Sequence, residues 1–483
     1  MTKSVCAPRL IALLSAICLT SIASAQTRWW RTYGGANEDV GNSVQQTSDG
    51  GYIVVGYTQS FSAGDSDVYL IKTDAHGVIL WTKLYGGTGD DEGASVRQTT
   101  DGGYIIAGTT SSFGAGDDNV YLIKTNASGD TLWTRTYGGK DEDFGYSVRQ
   151  TSDGGYVIAG RTASFGPGTP GYDNVYLIKT NASGDTLWTR VYGGDNEDFG
   201  YSIQQTTDGG YVAVGLTQSF GAGGLDVYLI KTNAAGDTLW TRTYGGTHID
   251  AGYSVRQTSD GGYVIAGWTQ SFGLTNYHVY LIKTNATGDT LWTRTYGGSG
   301  GDYGVSAQQT SDGGYVMVGY TGSFGAGGYD VYLIKTNGSG DTLWTRTYGD
   351  TSDDEGFSVQ QTSDGGYVIA GLTYSYGIGT PDYSNVYLIK TDSLGNAGVE
   401  EPATRHPAKP TSLLVQPNPF TSVARVPGHE TELFTLSDVT GRQVAVCKGD
   451  RIGAGLRPGV YFLSPAGTKT GRTATVRVIK AAK

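Results

Sequence analysis

The sequence predicts an all-β protein: a seven-bladed β-propeller closed by its N-terminal strand, followed by a small immunoglobulin-like β-sandwich. Three observations carry this reading. The stretch QTSDGGYVIAG at residues 150–160 recurs letter for letter at 257–267 and 361–371, with close variants starting at Gln46, Gln98, Gln205 and Gln309. The tyrosines of its DGGY motif (Tyr52, Tyr104, Tyr156, Tyr211, Tyr263, Tyr315 and Tyr367) stand 52 residues apart, except for one interval of 55. A period of this size marks a propeller or a solenoid. The third observation is the phase of the chain, which favours a ring over an open stack.

Taken in order, residues 1–25 read as a secretory signal: Lys3 and Arg9 precede an apolar run, and Ala23-Ser24-Ala25 suits a signal peptidase. No later apolar run approaches the length of a membrane span. Cys6 and Cys18 leave with the signal, so Cys447 is the one thiol of the mature chain and cannot form an internal disulfide. Stability must then come from packing.

Each unit of the 26–394 region reads as four short strands. In the third unit these are SVRQT, YVIAGRT, NVYLIKT and TLWTRVY, at residues 147–151, 156–162, 174–180 and 186–192. Asp-Gly and Ser-Gly between such runs are hairpin chemistry, because glycine accepts the positive φ of tight turns. Strands two and three are apolar on both faces, as in blades stacked against blades. The LW-type fourth strand follows repeats one to six, at Trp81, Trp133, Trp188, Trp240, Trp292 and Trp344, but not repeat seven. Its counterpart, RWWRTYGG at residues 28–35, stands before repeat one. Joining the two ends gives every blade four strands and removes the exposed edges that an open stack would have to cap.

Residues 395–411 form a polar linker bearing Pro and Ala. Residues 412–483 form a separate module, in which alternation over 433–444 and the Thr440-Gly441 and Pro458-Gly459 turns predict the β-sandwich. Charge divides between the two parts. The whole chain carries −11; without Lys3 and Arg9 this is −13, and residues 400–483 hold twelve Lys/Arg against six Asp/Glu, which leaves −19 on residues 26–399. So acidic a body excludes nucleic acid as a partner and favours cations.

Two resemblances follow from these motifs. The Gly-x-x-x-Trp of GDTLW, at Gly129, Gly184, Gly236, Gly288 and Gly340, resembles the tryptophan-docking repeat of quinoprotein-type propellers, and the DGGY unit resembles secreted bacterial propeller repeats. In the tail, PNPF, the D-x-x-GR-x-V hairpin, L-x-PGVY-x-L and a terminal basic VIK strand resemble, in this order, the C-terminal sorting domain of the type IX secretion system. The resemblance implies export to the surface or exterior of a Gram-negative bacterium, cleavage of the tail, and the sorting machinery as a partner of residues 412–483. The extra Ala481-Ala482-Lys483 departs from the family's terminus.

Two sets of residues are candidate sites. Each fourth-to-first loop carries Asp-x-Gly-x-Ser, giving Asp39, Asp91, Asp143, Asp198, Asp250, Asp302 and Asp354. Seven carboxylates at a channel mouth would offer calcium the oxygen ligands it takes. The same residue type is what turn chemistry asks for, and its presence in all seven blades points to a role in the blade itself. No cofactor is expected. The second-to-third loops vary most and carry Tyr172, Tyr277, His278, Tyr329 and Tyr383. Rigid scaffolds place recognition on such loops, and tyrosine makes adaptable contacts. Enzyme signatures are thin: the five histidines share no repeated position, and neither H-E-x-x-H nor G-x-S-x-G occurs. The expected function is a secreted or surface-displayed, monomeric, non-catalytic module for adhesion or for binding a glycan or protein. The alternative is a hydrolase or quinoprotein-like oxidoreductase using the same face.

Overall fold

A computed structural model describes residues 27–167, 171–273 and 276–398, and in the C-terminal part 423–426, 433–438, 442–448, 450–452, 454, 456–465 and 476–480. The expected signal segment, most of the linker and the PNPF motif lie outside these residues. The chain divides into two compact units, Met1–Glu401 and Pro402–Lys483.

Seven four-stranded antiparallel sheets build the first unit. Blades one to six span residues 39–85, 91–137, 143–192, 198–244, 250–296 and 302–348. The seventh takes three strands from 354–391 and its fourth from Trp29–Tyr33, which pairs antiparallel with Asn385–Thr391, Trp30 opposite Ile389 and Tyr33 opposite Val386. The expected latch is present. The last turn runs past residue 394: Asp392 N donates to Asn396 O (3.1 Å), and Thr391 bridges Ala397.

The ring is closed by side chains as well as by the latch. In each blade the inner-strand serine hydroxyl accepts a backbone N–H of the next blade, from Ser43 and Val96 (3.4 Å) onward, and Ser358 returns to Val44 (3.2 Å). A second circuit runs through glutamine: Gln98 Oε1 accepts from Ser48 N (2.8 Å), and Gln46 Oε1 completes the circle by accepting from Ser363 N (2.8 Å). Apolar cores lie between blades rather than within them. Ile53, Val55 and Leu70 of blade one pack with Tyr104, Ile106 and Tyr121 of blade two. This is why strands two and three are apolar on both faces.

The recurrent sequence now has a local explanation. In blade three, Asp153 accepts from Thr151 Oγ1 (2.5 Å), Gly155 N (3.0 Å) and the ammonium of Lys179 (2.8 Å), a lysine only 3% exposed on the third strand. Gly154 has φ +81°, and a Cβ on Gly155 would stand 2.1 Å from Thr180 O. One glycine supplies the turn and the other admits the lysine-bearing strand. Against the upward push of partial burial, the bonds from Lys179, Thr151 and Gly155 hold the Asp153 carboxyl down at about 2. The docking tryptophans likewise depend on glycine: a Cβ on Gly129 would meet the Trp81 ring at 2.8 Å, and Tyr85 OH donates to Gly129 O (2.6 Å).

In the second unit four strands pair in the order Gln443–Lys448, Leu433–Ser437, Gly459–Pro465, Val476–Lys480. Ala424, Val426, Phe434, Leu436, Ile452 and Leu463 form its core. Among the described residues it has this one sheet, so the second layer of the expected sandwich is not among them.

Candidate functional site

Inner strands run from one face to the other, starting at the aspartates, so the fourth-to-first and second-to-third loops share a face. Gln59 N donates to Glu38 O (2.8 Å) and Asp91 N to Ser66 O (2.8 Å) across these two loop types. This face, here called the upper, surrounds the mouth of the central channel.

The seven aspartates do not line that mouth. All are 0% exposed. Asp250 Oδ2 accepts from Gly246 N (2.8 Å) and Ser271 Oγ (2.6 Å), and its Oδ1 is held by Thr269 Oγ1. Asp39 is held the same way by Gly35, Ser60 and Thr58, and burial, partly offset by these bonds, pushes its carboxyl above the ordinary range. The geometry is that of a turn cap inside each blade. Among the described residues no three Asp, Glu, His or Cys side chains gather as a group able to hold a metal ion.

The variable-loop residues divide. His278 is buried at the head of its strand, 6% exposed and packed against Gly273. Tyr172 and Tyr383 are exposed, on blades three and seven. Tyr277 and Tyr329 are half-buried and join a larger assembly. Tyr303 stacks on Tyr320 (4.8 Å between centroids) and meets Tyr277 (5.2 Å), Tyr329 (6.0 Å) and Trp268 (5.8 Å). The Tyr253 hydroxyl sits against both Trp268 and Tyr201. Tyr201 stacks on Tyr253 (4.6 Å) and meets Tyr146 (5.3 Å), while Arg161 lies over Phe144 (4.0 Å) and Phe199 (5.2 Å). Aromatic rings thus run without interruption over blades three to six. Beside the arc, blade two and the loops flanking it carry acids. Asp90, Glu92, Asp117, Asp118 and Glu142 line a depression of about 440 Å³ beside Phe144.

Most of the arc escaped a search of the loops because it stands on strands. Its signal is internal. After each aspartate the repeat reads Val40, Glu92, Phe144, Phe199, Ala251, Tyr303, Glu355, and two residues further on Asn42, Ala94, Tyr146, Tyr201, Tyr253, Val305, Phe357. On the second strand, between invariant Gly and Thr, stand Tyr57, Thr109, Arg161, Leu216, Trp268, Tyr320 and Leu372. These columns vary inside a scaffold that does not.

Glu92, although part of its side chain reaches solvent, is pushed up to about 7 by the surrounding protein and by Asp90, Asp118 and Glu38; Glu355 reaches about 7 through burial and Asp353. A carboxyl raised on folding contributes stability below its unfolded value near 4.5, and that stability is lost as pH rises through the folded value. The lysine-paired aspartates of the DGGY turns, Asp153 and its counterparts Asp101, Asp208, Asp260 and Asp312, act in the opposite direction: their contribution is present above 3.8 and is lost as pH falls toward about 2. Melting temperature is therefore expected to peak in mildly acid solution. Glu92→Gln with Glu355→Gln should flatten the decline toward neutral pH; an unchanged profile in that double variant would refute the assignment.

Strand order and ring closure define the class: a closed propeller of four-stranded blades. No protein-family model matches the chain. The regulatory protein FlaEY of Caulobacter vibrioides is 28% identical over 178 residues, covering 32% of this chain; the chain spans only 18% of that protein's length. Among solved structures, the Pan2 WD40 domain of Neurospora crassa is similar at a TM-score of 0.44 and 9% identity, over 75% of this chain and 96% of that one. PorZ of Porphyromonas gingivalis, a surface component of the type IX secretion system, is similar at 0.38 and 11%, over 93% of this chain and 60% of that one. BamB of Moraxella catarrhalis follows at 0.37 and 12%, over 73% and 86%.

Proposed function

We propose that the propeller is a non-catalytic extracellular binding module whose ligand is a carbohydrate, taken on the aromatic arc of blades three to six. The observation that carries the reading is that arc: half-buried rings from four adjacent blades, continuous at a channel mouth and flanked by carboxylates. Tyrosine and tryptophan are amphipathic, with an apolar face and a polar tip, which suits a sugar's C–H face and its hydroxyls. The neighbouring acids supply further acceptors. In this reading the tail motifs of residues 412–483 direct export through the sorting machinery, and the mature protein is released or held at the surface of a Gram-negative cell.

Binding of the full chain to a glycan array is the direct test. Tyr303→Ala and Trp268→Ala are expected to weaken the selected glycan about tenfold or more while the protein stays folded, since losing an aromatic contact costs on the order of 1 kcal/mol beyond its buried area. Equal affinity in both variants would refute the arc as the site. A glycoside hydrolase reading has one observation in its favour, the depression in which Glu92, its carboxyl pushed up, stands with Asp90, Asp117, Asp118 and Glu142. It predicts release of reducing ends from the bound glycan, whereas the binding module leaves the glycan intact. With the seven aspartates as caps, calcium at about millimolar concentration should leave the melting temperature unchanged; a rise would reassign them to a metal.

A further inference from the structure

Three arginines crowd the lower end of the central channel. One inner-strand position holds glutamine in four blades (Gln45, Gln204, Gln308, Gln360) and arginine in blades two, three and five (Arg97, Arg149, Arg256). In three of those four blades the glutamine joins neighbouring blades: Gln45 Oε1 accepts from Gln98 N (2.7 Å), Gln204 Oε1 from Gln257 N (3.0 Å) and Gln360 Oε1 from Gln46 N (2.6 Å). Arginine has no acceptor to offer. The three arginine joints cannot make this bond, and something else must account for the cations.

The guanidiniums share one cavity of about 200 Å³ with Gln45, Gln308 and Gln360, and no carboxylate lines it. Their hydrogen bonds go to backbone carbonyls: Arg97 Nη1 to Val96 O (3.1 Å), Arg256 Nη1 to Val255 O (2.8 Å) and Arg149 Nε to Ile203 O (3.4 Å). The Nε of Arg97 is buried without a partner. Among the described residues none of the three forms an ion pair, although the 26–399 sequence carries −19. Burial, joined for Arg97 by the charge of Arg256, draws Arg97 down to about 9, and burial alone draws Arg256 to about 10. Gathered, desolvated like charges without a counterion are costly to hold, and five N–H donors per guanidinium are mostly unspent.

We propose that Arg97, Arg149 and Arg256 form a binding site for a small oxyanion of the phosphate or sulfate class, free or as the terminal group of a larger ligand. Guanidinium forks match tetrahedral oxyanions in shape and charge. Access is from above: a cavity of about 380 Å³ lined by Tyr146, Tyr201 and Tyr253 reaches down to the same three arginines. The arginines lie beneath the aromatic arc, whose Tyr146, Tyr201 and Tyr253 line the way in, and binding of a free ion tests the site without the carbohydrate reading.

The test uses the full chain in calorimetric titration and thermal melting, with inorganic phosphate and sulfate compared with chloride at equal ionic strength. One anion per chain is expected, with a melting temperature raised by about 2 °C at roughly ten times the Kd. The variant R97Q/R149Q/R256Q installs the residue that four blades already carry at this position. It should fold, regain the inter-blade bonds and lose the shift; Arg149→Gln alone should weaken binding about tenfold. The proposal is overturned if phosphate and sulfate do no more than chloride, or if the shift survives in the triple variant. A sulfated oligosaccharide that binds more tightly than free sulfate, and loses that gain in the triple variant, identifies the ion's source as a larger ligand; equal binding identifies the free ion.

Discussion

Trp29→Ala is expected to lower the unfolding free energy by about 3–5 kcal/mol, the usual cost of deleting a buried aromatic, and to lower it more than Trp133→Ala or Trp188→Ala. All three tryptophans dock on the following blade, but Trp29 is 2% exposed whereas the others are only partly buried. Trp29 also packs with Tyr52, Tyr69, Val368 and Leu388, residues of blades one and seven. Its indole N–H donates to Ala75 O (3.1 Å). Losing it loosens both the seventh sheet and the joint between the first and last blades. Urea titration of the three variants decides the matter. Equal midpoint shifts would mean that the latch is energetically no different from any other blade contact.

Gly155→Ala is expected to cost about 3 kcal/mol or more, against about 1–2 kcal/mol for Gly154→Ala, although the two residues are neighbours in one turn. A methyl on Gly154 meets nothing within 4 Å and suffers only the strain of a left-handed backbone at φ +81°. A methyl on Gly155 would lie 2.1 Å from Thr180 O and 2.7 Å from the Lys179 ammonium. To make room the turn must withdraw from the third strand, pulling Asp153 from its buried cation. Denaturant titration of both variants checks the order; a larger loss at Gly154 would show that backbone strain outweighs the collision.

Much of the propeller was legible because repetition exposes it. The 52-residue period, the two-faced apolar strands and the displaced RWWRTY segment together determine strand count and closure, and the register of Trp29–Tyr33 on Asn385–Thr391 agrees. The partnership of Asp153 with Lys179 was not legible, because its members lie 26 residues apart and meet only once the hairpin folds. The upper face was half legible. Tyr277 and Tyr329 stand in loops that vary visibly, but Trp268, Tyr303 and Tyr320 look like ordinary strand residues until three columns of the repeat are read side by side. His278 misleads for the opposite reason: it lies next to a variable loop but opens a strand, where the other blades place Asp or Asn (Asp67, Asn119, Asp330) and all are buried.

The latch has a bearing on how such a gene changes. Near-identical coding units recombine out of register, adding or deleting one copy at a time. Because the closing strand comes from the other terminus, an offspring chain with six or eight units would still end on an unfilled sheet edge that its own first residues fit. The pairing of the two ends does not itself fix how many units lie between them.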